Sequence, residues 1–425
     1  MISADCVVSG CRQLVTCAGP LPKRGPALGD LGVVDDGWIA SSRGEIVFVG
    51  TAAAFRGTVA AAPGATWIDG RDSIALPGFV DSHTHLPFAG NREHEFLLRL
   101  KGATYQELAA QGMGIQTTVK ATRAATKDEL VFLCKQRLNQ MLLTGTTTVE
   151  AKSGYGLNYE DEIKQLEALA TLRGAHPVEV VPTYMGAHEI PPEYKGRKAE
   201  YVDLIIDKVL PEIKARGLAE FFDIFCEPNV FDLEDTKRLA EAARAAGLGV
   251  KIHADEFVPI GGTEYAAESG AVSAEHLINA TDEGIRKIAA SGTAALLLPG
   301  VPFFLMLEKK APVRKLIEAG AAVALASDFN PGSSMLSSML LVLQLGVYTL
   351  RMTIEEALNA CTGNAAYAIA RHGRVGSLEV GKRMDLLICD VPNYASLIYQ
   401  LGVNPVRHVI KDGKIVVRAG KIQPL

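Results

Sequence analysis

The stretch GFVDSHTH, Gly78–His85, decides the fold. It opens as a short apolar run, ends in two histidines one residue apart, and passes directly into Pro87, Gly90 and the charged residues from Arg92 onward. On a strand, residues i and i+2 point to the same face, so His83 and His85 project together while Thr84 points away. Seven further apolar runs follow: GTTTVEAKS from Gly145, VEVVPTYMGAH from Val178, FFDIFCE from Phe221, GLGVKIHADE from Gly247, AVSAEHLI from Ala271, TAALLLP from Thr293 and AVALASD from Ala322. Each gives way to Gly, Pro or polar residues and then to a helical pattern. Runs apolar on both faces, alternating with amphipathic helices, are what parallel strands covered by helices look like, and eight such units can close into a barrel. A doubly wound open sheet is the competitor, but no glycine-rich phosphate loop follows the first strand.

The intervening helices are legible too. Thr126 and Glu129 form a capping box opening a helix that Gly145 ends, and DEIKQLEALATL places Ile163, Leu166 and Leu169 on one side, with Asp161 and Glu162 at the positive end of its dipole. Both ends of the chain read instead as short strands with tight turns: GEIVFVG near the start, DLLICD and HVIKDGKIVVRAG at the finish, with Asp412-Gly413 a hairpin signal. The expected fold is α/β: a (β/α)8 TIM-type barrel over residues 78–370 beside a small β-sandwich domain built from residues 1–77 and 371–425.

The bulk numbers suit one large α/β domain plus a smaller companion. The chain has 425 residues, 48% hydrophobic and 21% charged, enough to bury a sizeable core without disulfides. A formal charge of -5 gives no basic surface for nucleic acid or acidic lipid, so a small-molecule partner is expected. Asp5 and Arg12 interrupt the apolar residues of the N-terminus, and Pro299, Gly300 and Pro302 break the most apolar run, which argues for a cytoplasmic protein. Seven cysteines without a CxxC pair suit a reducing compartment. Cys6, Cys11 and Cys17 lie near one another in sequence but lack the tight turn that structural zinc sites favour.

Taken alone, a His-x-His pair also suits surface or core histidines, His253 could be a satisfied core residue, and Asp328 could be a helix N-cap. Their joint placement points elsewhere. His83, His85, His253 and Asp328 all fall at carboxyl ends of expected barrel strands, on one rim. Three imidazoles and one carboxylate suit Zn2+ or Fe2+/Fe3+ with a position left for water, where Mg or Ca would want more oxygen. Glu256, three residues beyond His253, and His276, ending the next strand, are the candidates for moving a proton.

This constellation, DSHTH after LPGF with a later strand-end histidine and SD, resembles the metal-dependent amidohydrolase superfamily. FAGNREHEF, EAKSGYGL, MGAHEIP, HADEF, AEHL and SDFNPGSS, in that order, resemble the imidazolonepropionase family over nearly the whole chain. That resemblance implies one ion per subunit, a homodimer, and hydrolysis of the cyclic amide of 4-imidazolone-5-propanoate to N-formimidoyl-L-glutamate. It implies substrate contacts from Arg92, Tyr155, His188, Glu256, Asn330, Gly332 and Ser333, and catalytic roles for Glu256, His276 and Asp328. Arg92 suits an anionic propanoate through its planar fork, while the Asn330–Ser333 residues also read as ordinary turn chemistry. Lys152 raises the carboxylated lysine that bridges two metals in many amidohydrolases, but it falls earlier than the bridging position. Two other functions compete: a deaminase of an aminated heterocycle, which would not need Arg92, and a non-catalytic barrel serving as an interaction module.

Overall fold

The computed structural model describes residues 1–102 and 113–424. All eight apolar runs form strands of one parallel sheet: β1 (Phe79–Asp81), β2 (Thr146–Lys152), β3 (Glu179–Ala187), β4 (Phe221–Cys226), β5 (Gly249–Ala254), β6 (Ser273–His276), β7 (Ala294–Leu297) and β8 (Ala322–Leu325). They are hydrogen-bonded in chain order from β1 to β8. The seam between β8 and β1 closes just beyond the regular strands. There the Asp328 N–H donates to the His83 carbonyl at 3.0 Å, the His85 N–H donates to the Phe329 carbonyl at 2.9 Å, and Asp81 accepts from the backbone and hydroxyl of Ser327. The barrel is thus completed by the segments that carry the candidate ligands.

The helices cover the strands as their patterns require. Lys127–Leu143 opens on the Thr126–Glu129 capping box, and Tyr159–Leu172 buries Ile163, Leu166 and Leu169 against the barrel. Asp161 and Glu162 stand in the first turn of that helix, as the dipole argument expects, and Glu162 is in addition fully buried.

Both chain ends meet in a second, mixed sheet of nine strands. Ile74–Pro77 pairs antiparallel with Leu386–Cys389, so the segment immediately before β1 is tied to the segment that follows the barrel. Val406–Lys411 and Lys414–Arg418 form the expected hairpin, with Asp412 and Gly413 both at positive φ, as a two-residue turn of this hand demands.

All seven cysteines are free and buried, and none belongs to a potential metal-holding group among the described residues. Burial pushes the thiols up, Cys6 to about 11 and Cys134 to about 12. Since the thiolate is the reactive form, a disulfide-exchange dye is expected to find no reactive thiol in the native protein at pH 8 and seven after denaturation. Rapid native labelling would contradict this burial.

Candidate metal centre

Barrel interiors are ordinarily packed with branched apolar side chains; this one turns polar toward the carboxyl ends of its strands. His83 and His85 follow β1, His253 lies in β5, His276 ends β6 and Asp328 follows β8. None of the five is more than 3% exposed. Asp328 Oδ1 lies 3.1 Å from His83 Nε2 and 3.3 Å from His85 Nε2, yet neither Asp328 Oδ1 nor His83 Nε2 makes a hydrogen bond. Two donors each about 2.1 Å from one shared ion stand about 3–3.5 Å apart, so these lone pairs fit a common cation better than they fit one another. The His253 ring is 4.6 Å from that of His83 and 5.7 Å from that of His85. His253 joins His83 and His276 in a second set of mutually close ligand atoms and is not part of the tight His83–His85–Asp328 set. His83 is the hinge between the two.

Behind the rings sits a layer that sequence reasoning missed. His83 Nδ1 meets Glu275 Oε2, and His253 Nδ1 lies 2.9 Å from Asp223 Oδ1. Each imidazole thereby has its Nδ1 against a buried carboxylate, the kind of outer partner that fixes a ligand's tautomer and orientation. His83, His253, Asp223 and Glu275 also form a close set of potential ligand atoms, but a cation already serves it. The Lys152 ammonium lies 2.8 Å from Asp223 Oδ2, 2.7 Å from Glu150 Oε1 and 3.4 Å from Glu275 Oε2. A carbamate on Lys152 would face three carboxylates and be repelled, so the residue is an ammonium. Lys251 adds a second cation, 2.9 Å from Glu275 Oε1. Around the rings the buried acidic side chains Glu150, Asp223, Glu275 and Asp328 outnumber the buried lysines Lys152 and Lys251, an excess of acidic groups that a bound cation can offset. Without an ion, burial pulls the His83 imidazole down, but Glu275 and Asp328 outweigh it and raise it to about 9.

The backbone is strained where these residues turn out of their strands. Asp255, His276 and Asp328 have φ of 52°, 72° and 51°, left-handed conformations that non-glycine residues adopt at a cost and that cluster at functional sites.

The candidate substrate residues surround the same mouth. Tyr155 and His188 pack by their rings against His85, at 5.9 and 4.9 Å. Glu162 holds the Tyr155 loop by accepting from the N–H groups of Gly154, Gly156 and Leu157. Glu256 Oε2 is 3.5 Å from His276 Nε2; burial, Asp328 and Glu227 all push the Glu256 carboxyl well above the usual range. Burial lowers His276 to about 3, leaving it a neutral imidazole. Arg92 is oriented by Glu95, which accepts from its Nε at 2.8 Å, and lies so near Gly332 that a Cβ there would meet Arg92 Nη1 at 2.2 Å. The Asn330 amide is fully used inside its own turn: Nδ2 donates to the Asp328 carbonyl and Ser333 Oγ, and Oδ1 accepts from the Gly332 and Ser333 N–H groups. Its contribution to a ligand is therefore the shape of the 330–333 loop.

A barrel with such a donor set at its carboxyl rim defines a metal-dependent hydrolase. The chain belongs to the amidohydrolase family, which it matches over residues 74–416. Within that family it belongs to the imidazolonepropionases. It is 51% identical over 419 residues to the imidazolonepropionase of Geobacillus kaustophilus, covering 97% of each chain. To that of Symbiobacterium thermophilum it is 48% identical over 424 residues, covering all of both chains. Among solved structures, the zinc complex of atrazine chlorohydrolase from Arthrobacter aurescens superposes with a TM-score of 0.74 at 18% identity, over 99% of this chain and 97% of that one. At that identity the likeness speaks for the fold alone.

Proposed function

We propose that this chain hydrolyses the cyclic amide of 4-imidazolone-5-propanoate to N-formimidoyl-L-glutamate, a step of histidine degradation. One Zn2+ or Fe2+/Fe3+ per chain would be held by His83, His85, His253 and Asp328. The observation that carries the reading is the unpaired Asp328 Oδ1 facing His83 and His85 with Arg92 held at the same mouth, in a chain about half identical to imidazolonepropionases along its whole length. An ion in this position supplies a Lewis acid that brings the acidity of water from a pKa of about 15.7 toward about 7 and polarises a carbonyl.

The protein's own groups do the rest. Arg92 takes the propanoate carboxylate through charge-assisted hydrogen bonds, and Tyr155 and His188 wall the ring against His85. Water must lose a proton and the departing ring nitrogen must gain one. Neutral His276 can accept at Nε2, and Glu256, within reach of that nitrogen, can carry the proton across to the leaving nitrogen. Asp328, held as a carboxylate by its histidines, orients the attacking water. The interior cluster keeps bulk solvent from these charges, which strengthens each interaction. The proposal includes a cytoplasmic homodimer without nucleic-acid or membrane partners; no described helix is long and apolar enough to cross a membrane.

Incubation with freshly generated imidazolonepropanoate, followed by loss of its ultraviolet absorbance, is expected to show turnover that a chelator abolishes, with formimidoylglutamate as product. Release of ammonia would instead indicate a deaminase, and a metal-free inert protein an interaction module. Arg92→Ala should lower kcat/KM about 10–100-fold, the worth of a charge-assisted hydrogen bond, mainly through KM if the contact is equal in ground and transition states. Glu95 keeps its bonds from the Gly114 N–H and Thr117 hydroxyl, so the fold should survive. An unchanged kcat/KM removes Arg92 from the site.

A further inference from the structure

We propose that Glu227 is a positioning residue for Glu256, an inference that rests on the acid/base role given to Glu256 above. Glu227 directly follows β4, is 4% exposed, and makes no ion pair with any described residue. A buried carboxylate without a counter-charge is costly unless its oxygens are saturated by hydrogen bonds. Here the donors are backbone amides of the loop after β5. The Phe257 N–H donates to Glu227 Oε1 at 2.9 Å and the Val258 N–H to Oε2 at 3.2 Å. Consecutive amides converging on one anion form a nest, here filled by the protein's own side chain.

The loop has reason to need such an anchor. It leaves β5 through left-handed Asp255, contains Pro259, and re-enters helix at left-handed Gly261, so no strand or helix pairing holds the peptide groups between. The Glu256 carbonyl is gripped on the other side by Asn279, whose Nδ2 donates to it at 2.7 Å. Glu256 therefore lies between two tethers, one on its own carbonyl and one on the amides that follow. Together they set the direction in which its side chain meets His276. The Phe257 and Val258 side chains are exposed, with Phe257 set edge-on to Phe225 at 6.4 Å, so the bonds to the Glu227 carboxylate act on a turn with little apolar burial of its own. Glu162 holds the Tyr155 loop in the same manner, so the loops after β2 and β5 share one device.

The test compares the full-length, metal-loaded parent with Glu227→Ala, Glu227→Gln and Glu256→Gln, measuring metal content, thermal midpoint, kcat and KM. A displacement of about 1 Å at a proton-transfer group can cost as much as about 100-fold in rate. Glu227→Ala is therefore expected to lose about 10–100-fold in kcat, with metal content unchanged and KM within about threefold. Glu227→Gln, whose amide oxygen can still accept from the loop, should recover most of that loss, which a loss of stability alone would not reproduce. Glu227→Ala with kcat within twofold of the parent while Glu256→Gln is disabled, or Glu227→Gln no faster than Glu227→Ala, would overturn the assignment. A fully active Glu256→Gln would instead bring down the role of Glu256 itself, and this inference with it. Should Glu227→Ala fail to fold, Glu227→Gln against the parent still decides: a kcat lowered by 100-fold or more in a folded, loaded variant rejects the acceptor role.

Discussion

A His253→Ala variant is expected to fold, to purify without stoichiometric metal, and to show no turnover above background. The imidazole ring stands 4.6 Å from that of His83 at the end of β5, and its removal takes one donor from the His83–His253–His276 set that adjoins His85 and Asp328 through His83. Changing only an outer partner of a metal ligand costs about 10–100-fold in metal affinity; deleting the ligand should exceed that. The fold survives because Asp223, deprived of His253 Nδ1, keeps the Lys152 ammonium at 2.8 Å. Metal analysis of dialysed protein and the ultraviolet assay check the expectation. One ion per chain together with parental activity would show that His253 is not a ligand.

The barrel was readable because each of its strands is covered on both sides and so spells a short apolar run, and because turn residues separate the runs. The rim residues were readable for a related reason: a histidine or aspartate that ends such a run stands out. Glu150, Lys152, Asp223, Lys251 and Glu275 did not, since a charge inside an apolar strand suggests a solvent-facing position until the sheet is known to close around it. A signal existed in the spacing. Glu150 with Lys152, and Lys251 with His253, stand two residues apart and so share a face, which makes Lys251 a pointer to the same interior as a candidate ligand. From sequence Lys152 suggests only a bridging lysine, because its part as counter-ion depends on the closure of the barrel around Glu150, Asp223 and Glu275. In the nine-stranded sheet, Ile2–Val15 is hard to read from sequence because its register shifts between Val8 and Cys11, around Gly10, which breaks the alternation of a regular strand. Val59–Asp69 is hidden by Pro63-Gly64, which resembles a turn; the strand carries them where its pairing with Ile2–Val15 also shifts register.

Lys152→Met should destabilise the fold by about 3–5 kcal/mol, the cost of stripping one partner from a buried ion network. Burial works against the charge of Lys152, yet Asp223, Glu150 and Glu275 overcome it and hold the ammonium above its ordinary pKa. A lysine whose folded pKa is raised contributes fully at every pH below its unfolded value of about 10.4, so the parent enjoys the whole contribution at neutrality and the variant none. The carboxylates left behind respond to pH in the opposite sense. Burial and Glu275 already raise the Asp223 carboxyl; with the ammonium gone, such groups cost stability while ionised and cost less as protons return. The deficit should accordingly be larger at pH 8 than at pH 5.5, with the variant's thermal midpoint at pH 8 about 3–6 °C below the parent's. Adding Glu150→Gln should restore part of the loss, because that side chain can still accept from the Thr84 N–H while one of the uncompensated charges disappears. A midpoint unchanged by Lys152→Met, or a double variant weaker than the single, would mean that the ammonium does not hold the carboxylates behind His83 and His253, and the orientation of both imidazoles would need another cause.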